Sequence, residues 1–446
     1  MADLTVVIDR SRMETFADCP RKGYWHYLYG GLGIEAKPAS IPLTTGSLVH
    51  EPLARVLQWV KGMGNVPEPS TVKAFVNDAQ REYLRIAKER GLLLDAFDGS
   101  DSDVGKVLTF PKEGETGAAL AGAALAGAAP TPVAWQLNEQ LALLEALVKG
   151  WVRVGLPRLL GEFEVVDVEQ EQEVELGGGV IMLTRRDALL RRRSTGEFYV
   201  LNFKTTSNAD STWVAQWRYD QQTISEMVAA EASVGGEVRG VIIEGLVKGQ
   251  RKLKWPEDVE PEQWRHNSPL LYHYTTVDVP PAPRGFSASG YWTCPEAHKW
   301  QWAKGGQCPG GQKHKLGKEW YRDMVGQTCG IDVWLDWLET NEPEVLRAQF
   351  LQLPAILRSA FEVERWKRQT IAEATRIDTK RRVLEESDGS EAALDVAFPM
   401  ATGHGNCLRP SRCPYLDLCF GVADPEDPER FVRREPNHPK EKELRK

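Results

Sequence analysis

The chain has 446 residues, a net charge of −8 and a hydrophobic share of 42%. That length favours two or three domains, or one domain with large insertions, and the composition is that of a globular protein with a sizeable core. The acidic balance argues against a protein that coats nucleic acid broadly, although a local basic channel is compatible with it.

Hydropathy and cysteine content give an expectation about location. No run of about 18 apolar residues predicts a membrane span, and the first dozen residues lack the basic start and apolar core of a signal peptide. Seven cysteines in so long a chain do not suggest a disulfide framework. We therefore expect a cytoplasmic protein whose thiols are free or bind metal.

Two helices are predicted in the N-terminal segment, residues 1–65. The first follows Ser11, a predicted N-cap, with Glu14 three positions later as in a capping box. That helix leads to Cys19, an isolated cysteine before a proline. The second helix has apolar residues at helical spacing and carries His50. A lone histidine on a helix is more often structural than a ligand.

Residues 66–160 are predicted to be helical on both sides of a spacer. An amphipathic helix is predicted for residues 69–91, and a longer one ends near Pro157. Between them, residues 99–131 contain the repeat GAALAGAALAGAAP. Alanine favours a helix and glycine opposes it, so we expect a linker without chemistry.

Residues 161–253 are organised around a predicted β-hairpin, LTRRDALLRRRSTGEFYVLNFKTT. A strand of alternating polarity that carries Glu169 precedes the hairpin. This glutamate could hold a metal directly, but a solvated face is the favoured interpretation. One long helix and a further strand follow, and this order predicts a mixed α/β core. Asp187 and Lys204 fall on the two hairpin strands. Such a pair can hold a divalent ion and polarise a water for phosphodiester hydrolysis.

Basic residues flank this hairpin. Arg185 and Arg186 lie on the first strand, and three more arginines follow at residues 191–193. They can supply local positive charge to a DNA backbone. A solvated strand end is an equally good interpretation.

The insertion at residues 254–329 contains possible ligands for zinc. They are two cysteines and two histidines, Cys294, His298, Cys308 and His314. Their spacings are irregular for a Cys2His2 site, so an unliganded loop is the favoured interpretation. Tryptophans and lysines of the same loop offer a surface for stacking single-stranded bases instead.

The C-terminal part begins with a predicted helical region, residues 330–386. Residues 387–425 follow, and there Cys407, Cys413 and Cys419 have five residues between neighbours. Thiolates with turn-forming residues between them bind iron–sulfur clusters or zinc. The charged tail, residues 426–446, is predicted to be disordered.

These motifs resemble the PD-(D/E)xK nuclease superfamily. Asp187 matches its first strand acid, and Lys204 with Thr205 matches its Lys-Thr pair. His50 ends a Gly-Ser-x-x-His pattern like that of RecB-type exonucleases, and Gln222 matches the glutamine of their Gln-x-x-x-Tyr motif. The four-cysteine pattern resembles AddB-type and CRISPR-associated iron–sulfur exonucleases, and the chain as a whole is similar to stand-alone phage or prophage members.

The resemblance implies a fold, a cofactor set and a substrate. The expected fold is a restriction-endonuclease-like core, a mixed central sheet flanked by helices, with helical additions and a terminal iron–sulfur clasp. The clasp is a 4Fe-4S cluster, or alternatively zinc, on Cys19, Cys407, Cys413 and Cys419. The implied substrate is DNA, as single strands or ends, in phage-type replication, recombination or repair.

The resemblance also implies site roles, with one departure. His50 and Asp187 would hold Mg²⁺ or Mn²⁺, Lys204 would orient the attacking water, and Gln222, Arg185 and Arg186 would contact DNA. Asn202 stands where the family has an acid, while Glu226 stands at the tyrosine position of the next helix. Some restriction enzymes of the superfamily carry the second acid on that helix. Glu226 is therefore a candidate third ligand, and an inactive DNA-binding or scaffolding protein is the alternative.

Overall fold

The computed structural model describes residues 6–37, 41–89, 132–249, 270, 330–387, 389–401, 407–408, 412–436, 438 and 440–441. The predicted spacer at 99–131 lies outside these residues, and so do the cysteines and histidines of the 254–329 insertion. Within the described part of the chain, no helix is long and apolar enough to cross a membrane.

The described residues form a central sheet of six strands. These are β1 (Val6–Asp9), β3 (Phe163–Gly177), β4 (Val180–Arg192), β5 (Phe198–Thr206), β6 (Val238–Val247) and β7 (Phe350–Gln352). The order is β1-β4-β5-β6-β7, and β3 pairs with β4. The β1–β4 and β5–β6 pairs are parallel and the others are antiparallel. The predicted hairpin is β4–β5, and the predicted mixed α/β core is confirmed.

Strand β4 is shared between three neighbours. Strand β3 follows one of its edges along most of its length. On the other edge, β1 pairs with Val180–Leu183 and β5 pairs with Ala188–Arg191. Between these two stretches, residues 184–187 of β4 have no strand partner on that edge among the described residues. The sheet therefore opens into a fork, with Asp187 at its apex.

Helices cover both faces of the sheet. On one face lie α3 (Ile41–Leu48), α4 (His50–Met63), α5 (Pro69–Glu89) and α6 (Pro132–Glu162), which share a buried apolar core with Leu201 and Phe203 of β5. On the other face lie α7 (Ser211–Gln216), α8 (Gln221–Val234) and α11 (Ala360–Glu386). Side chains alternate along a strand, so Asn202 and Lys204 point towards α8.

Three helix predictions differ from the structure. Helix α1 (Arg10–Asp18) is capped by Asp9, whose carboxylate accepts the Arg12 N–H at 2.8 Å, and Ser11 lies inside the helix. The single helix predicted after the hairpin is split into α7 and α8, because Asp220 starts a new helix by accepting the Gln222 N–H at 2.7 Å.

The third difference concerns Pro157, which lies within α6 instead of ending it. A proline inside a helix removes one hydrogen bond. Here Leu156 and Leu159 on either side of it are fully buried in the core. Their burial, worth about 1.5–3 kcal/mol for each side chain, offsets that cost.

The described residues from Gly330 to Glu386 include both helices and a strand. Helices α9 (Gly330–Asn341) and α10 (Pro343–Arg347) precede β7, and α11 follows it. The region predicted to be wholly helical therefore also supplies an edge strand, which pairs with Glu244–Leu246 of β6.

The two ends of the chain form a second packed unit, which we call the thiol lobe. It contains α1, α2 (Pro20–Gly23), a π-helix (Tyr24–Leu28), a 3₁₀ turn (Tyr29–Gly31), β2 (Ile34–Ala36), α12 (Glu391–Ala397), α13 (Leu416–Cys419) and β8 (Phe431–Arg433). Strands β2 and β8 pair antiparallel. Aromatic residues from both ends, among them Phe16, Phe398 and Tyr415, share one core.

The prediction of a disordered tail after residue 425 is wrong for its described residues. Strand β8 lies within it, and Glu441 is 1% exposed. The Glu441 carboxylate accepts from Arg434 at 2.8 Å and also pairs with Arg12. Lys440 pairs with Glu173 of β3 at 2.7 Å. Charged residues that suggested disorder are instead paired, and two of their partners, Arg12 and Glu173, are far away in the sequence.

Candidate active site

Asp187 lies at the apex of the fork and contacts two elements. Its Oδ2 accepts the backbone N–H of Phe203 at 2.6 Å, so the carboxylate bridges the diverging strands. His50 Nδ1, at the start of α4, lies 3.0 Å from Oδ1. The fold thus joins two predicted metal ligands that are 137 residues apart in the chain.

The electrostatic surroundings keep Asp187 charged. Burial by itself would raise the pKa of this carboxyl, but His50, Lys204 and the Phe203 N–H lower it below its ordinary value. At neutral pH Asp187 is therefore a carboxylate. A carboxylate oxygen beside an imidazole nitrogen is a donor pair that suits a divalent ion.

Asn202 contacts Glu226, the residue that the sequence suggested as a substitute for the missing strand acid. Its Nδ2 donates to both carboxylate oxygens of Glu226, at 3.0 and 2.8 Å. Glu226 is 2% exposed, and burial raises its pKa to about 8 although the charge of Lys204 opposes the shift. The carboxyl group is therefore next to the position of the missing strand acid, but it is already engaged by hydrogen bonds.

Lys204 and Gln222 complete this hydrogen-bonded network. Lys204 Nζ donates to Gln222 Oε1 at 2.9 Å, and Gln222 Nε2 donates to Glu226 Oε1 at 2.5 Å. The ammonium group also lies 5.5 Å from the centre of the Trp217 ring. Strand β5 and the first two turns of α8 thus supply one connected set of polar groups beside the fork.

Glu169, for which the sequence favoured a solvated face over a metal role, lies close to Asp187. By register it lies opposite Asp187, because Val168 pairs with Ala188 and Gln170 pairs with Arg186. Among the described residues it is the only non-glycine with a positive φ, at 44°. Such a conformation is strained and is often found at functional sites.

The carboxyl of Glu169 is half-buried, not on the solvated face that its strand pattern predicts. Burial raises its pKa, and the charge of Asp187 adds to this while Arg185 and His50 oppose it. The charges of Asp187 and His50 act on Glu169 at short range, so Glu169 lies near both predicted metal ligands. The pairing of this strand with the first hairpin strand places Glu169 opposite Asp187. That pairing is the sequence signal that favours a metal role for Glu169.

The comparison with known proteins agrees with this geometry. The family model of the PD-(D/E)XK nuclease superfamily matches residues 10–420. The chain belongs to the PD-(D/E)XK nuclease superfamily. Among curated proteins, none matches the chain. As in other members of this nuclease superfamily, the strand pair that carries the Asp and Lys lies in a mixed sheet between helices.

Arg186, which we predicted to contact DNA, is buried in this nuclease-superfamily member. The guanidinium of Arg186 is 1% exposed and binds Asp167 at 3.0 Å. It also donates to Gln172 of the neighbouring strand. The prediction that Arg186 contacts DNA is therefore wrong, because the side chain is used to join β3 and β4. Arg185, the next residue, is exposed.

The four cysteines predicted to share a metal lie together in the thiol lobe. All four are free and half-buried. Burial raises the pKa of the Cys413 thiol, and the charges of Cys19 and Cys407 raise it further. Burial likewise raises the pKa of Cys419 to about 11, with contributions from Cys413 and Cys19. Charges act on one another in this way only over short distances.

The spacing of these groups limits which metal they suit. Among the residues that the structure describes, no three His, Cys, Asp or Glu side chains converge closely enough to hold one metal ion. Zinc requires four ligands at about 2.0–2.3 Å from a single centre. These four thiols, all of which the structure describes, therefore form no site for one metal ion in the structure.

Proposed function

We propose that the protein is a Mg²⁺- or Mn²⁺-dependent DNA nuclease, of RecB or AddB type. In this proposal it acts as an exonuclease on single-stranded DNA or DNA ends, in phage-type replication, recombination or repair. The observation that carries the proposal is the His50–Asp187 pair at the fork, with Lys204 on the adjoining strand. Separate residues supply the ligands and the cation that phosphodiester hydrolysis requires.

His50 and Asp187 are the residues that would hold the ion, together with a second carboxylate, although no three such side chains of the described residues converge on one point in the structure. The ion, when bound, activates water and neutralises charge on the phosphate. Lys204 then orients the attacking water and stabilises the charge that develops on the phosphoryl oxygens. Gln222 fixes the position of the Lys204 ammonium through its 2.9 Å hydrogen bond and lies where the DNA strand would pass.

Two acids compete for the place of the missing strand carboxylate. Glu226 lies beside Asn202, but three hydrogen bonds from Asn202 and Gln222 occupy its oxygens. Glu169 lies opposite Asp187, half-buried and on a strained backbone. We favour Glu169 as the second carboxylate and assign Glu226 to holding Asn202 and Gln222 in place.

The test is degradation of labelled single-stranded DNA in Mg²⁺ and in Mn²⁺. We expect the wild-type protein to be active, and Asp187→Asn and Lys204→Met to lose at least about 100-fold in rate. Both variants should unfold at the wild-type denaturant concentration or close to it. Wild-type protein without activity on single strands, duplex ends or nicked circles would refute the proposal.

Asn202 favours a second candidate function, an inactive DNA-binding or scaffolding protein of the same fold. An asparagine binds a divalent ion through one neutral oxygen only, and here its amide faces Glu226. In that case the wild type binds DNA without cutting it, and Asn202→Asp or Asn202→Glu creates activity. Under the nuclease proposal, the same variants change an activity that is already present.

We further propose that Cys19, Cys407, Cys413 and Cys419 bind a 4Fe-4S cluster. The four-cysteine pattern of the sequence and the short distances between the thiols in the thiol lobe support this proposal. Free thiols and a DNA substrate also fit a cytoplasmic protein.

The metal is tested without reference to activity. Protein purified anaerobically should absorb in the violet and contain about four iron atoms for each chain. Cys413→Ser should lose that absorbance, whereas serine substituted for Cys294, in the insertion, should keep it. Zinc without iron in the purified protein would contradict the cluster.

A further inference from the structure

A cavity of about 580 Å³ lies beside the candidate active site, on the face of the sheet that α8 and α11 cover. Its wall includes Gln221 and Ser225, on the first two turns of α8. The residues that follow each of these, Gln222 and Glu226, belong to the Lys204 network. The cavity and the candidate active site therefore share one wall.

Tyr219 lies at the rim of this cavity and is 82% exposed. Its backbone belongs to an ordered turn, because its N–H donates to the Gln216 carbonyl at 2.9 Å. The next residue, Asp220, caps α8 and pairs with Arg10 at 3.1 Å. A large aromatic ring held in solvent on an ordered turn is a surface on which a nucleobase stacks.

The lining of the cavity indicates what kind of group can enter it. Apolar contact comes from Met13, Met182 and Trp366. Its charged groups are mostly acidic, since five carboxylates line it with one arginine, Arg10; the carboxylates are those of Asp9, Glu14, Asp18, Asp220 and Glu373. The neutral polar groups are those of Gln221, Ser225, Gln369 and Thr370. Phosphate groups are repelled by such a lining. A flat, uncharged group that donates hydrogen bonds is complementary to it.

We propose that this cavity receives an unpaired nucleobase of the substrate strand, one that carries an exocyclic amino group, with Tyr219 stacked on it. The inference rests on the proposed function, because it takes the substrate to be DNA. The sugar–phosphate backbone stays outside the cavity and passes Lys204. A base within a duplex is paired and stacked, so this site selects single strands and frayed ends.

The test measures binding in EDTA, where no cleavage occurs. Short oligo(dC) and oligo(dT) strands are compared by fluorescence anisotropy, with Tyr219→Ala, Tyr219→Phe and the control Phe361→Ala. Phe361 is 67% exposed and is not part of the cavity lining. We expect Tyr219→Ala to weaken oligo(dC) binding about fivefold to a hundredfold, while the other two variants bind like the wild type.

The base class gives a second readout. Cytosine carries an amino donor where thymine carries an acceptor. Oligo(dC) should therefore bind wild-type protein about fivefold or more tightly than oligo(dT), and the difference should shrink in Tyr219→Ala. Equal binding of the two strands, wild-type binding by Tyr219→Ala, or no binding by the wild type would overturn the proposal. Binding that depends on Tyr219 in a protein that cuts no DNA would refute the nuclease function and leave this site standing.

Discussion

At the scale of single residues, Glu169 combines a strained backbone with a position opposite Asp187. A left-handed conformation costs a residue with a side chain about 1–2 kcal/mol. Glycine adopts the same φ without that cost. A carboxylate kept at such a position is expected to serve function at the expense of stability.

We therefore predict opposite effects of one substitution on stability and activity. Glu169→Gly should raise the free energy of unfolding by about 1 kcal/mol, because it relieves the strain at φ 44°. It should also lower the rate of DNA cleavage at least about 100-fold, because a metal-binding carboxylate is lost. Denaturant unfolding and a nuclease assay measure the two effects.

The controls separate charge from backbone strain. Glu169→Gln should lose activity without the gain in stability. Glu164→Gln changes an exposed glutamate of the same strand, which pairs with exposed Arg191 at 2.7 Å, and should change neither. Full activity in both Glu169 variants, with activity lost in Glu226→Gln, would return the metal-binding role to Glu226.

At the scale of elements, α6 is fastened to the sheet through a buried polar group. Glu244 of β6 is fully buried. It accepts from Trp151 Nε1 at 3.1 Å and from Arg158 at 3.0 Å, and both donors belong to α6. Burial raises the pKa of Glu244 to about 7, although Arg158 opposes the shift.

This contact predicts a pH dependence of stability. The pKa of Glu244 is raised above its unfolded value of 4.5, so the folded state binds the proton more tightly. Its contribution to stability is present below about pH 4.5 and is lost as the pH rises to about 7. Glu244→Gln removes this loss, so the stability of the variant relative to wild type should increase between pH 5 and pH 8.

The size of that relative change should be on the order of 3 kcal/mol, since one pKa unit corresponds to about 1.36 kcal/mol. Urea unfolding of both proteins at several pH values measures it. Groups that titrate equally in both proteins, Glu226 among them, cancel in the difference. A relative stability that stays constant with pH would show that Glu244 keeps an ordinary pKa in the folded state.

At the scale of the whole molecule, the two ends of the chain are joined by protein contacts. Glu441 accepts from Arg12 near the first strand and from Arg434 near the last. Each of these three side chains is at most 4% exposed. The two guanidinium groups lie 5.0 and 4.8 Å from the centre of the Tyr27 ring. Arg12 also donates to the Val7 carbonyl of β1 at 2.7 Å, so this buried group attaches the thiol lobe to the start of the sheet.

Neutralising the acid of this group should therefore destabilise the protein. Glu441→Gln takes the shared carboxylate from two buried arginines, which keep their hydrogen bonds to the Val7 and Leu32 carbonyls. Removing one member of a buried ion pair typically costs about 3–5 kcal/mol. We expect a loss of that size in chemical unfolding, with the transition of the thiol lobe affected first. Glu429→Gln, at an exposed position of the same tail, is the control and should unfold like the wild type. Equal stability of the two variants would show that the tail does not hold the lobe.

Much of the fold follows from local pattern in the sequence. The alternation and turn residues of 183–206 predicted the β4–β5 hairpin, and apolar spacing predicted α4 and α5. Local pattern was insufficient where a distant contact decides the outcome. The burial of Leu156 and Leu159 carries α6 past Pro157, and Asp220 divides one predicted helix into two.

The sequence by itself determined which residue types are available for chemistry: His50, Asp187 and Lys204 in family-like motifs, and Asn202 in place of an acid. Only the tertiary structure decided how they meet. It opened the fork at Asp187, buried Arg186 against Asp167, and left Glu169 half-buried opposite Asp187. The physical reason is that strand register, burial and ion pairing depend on neighbours up to hundreds of residues away, which no local pattern records.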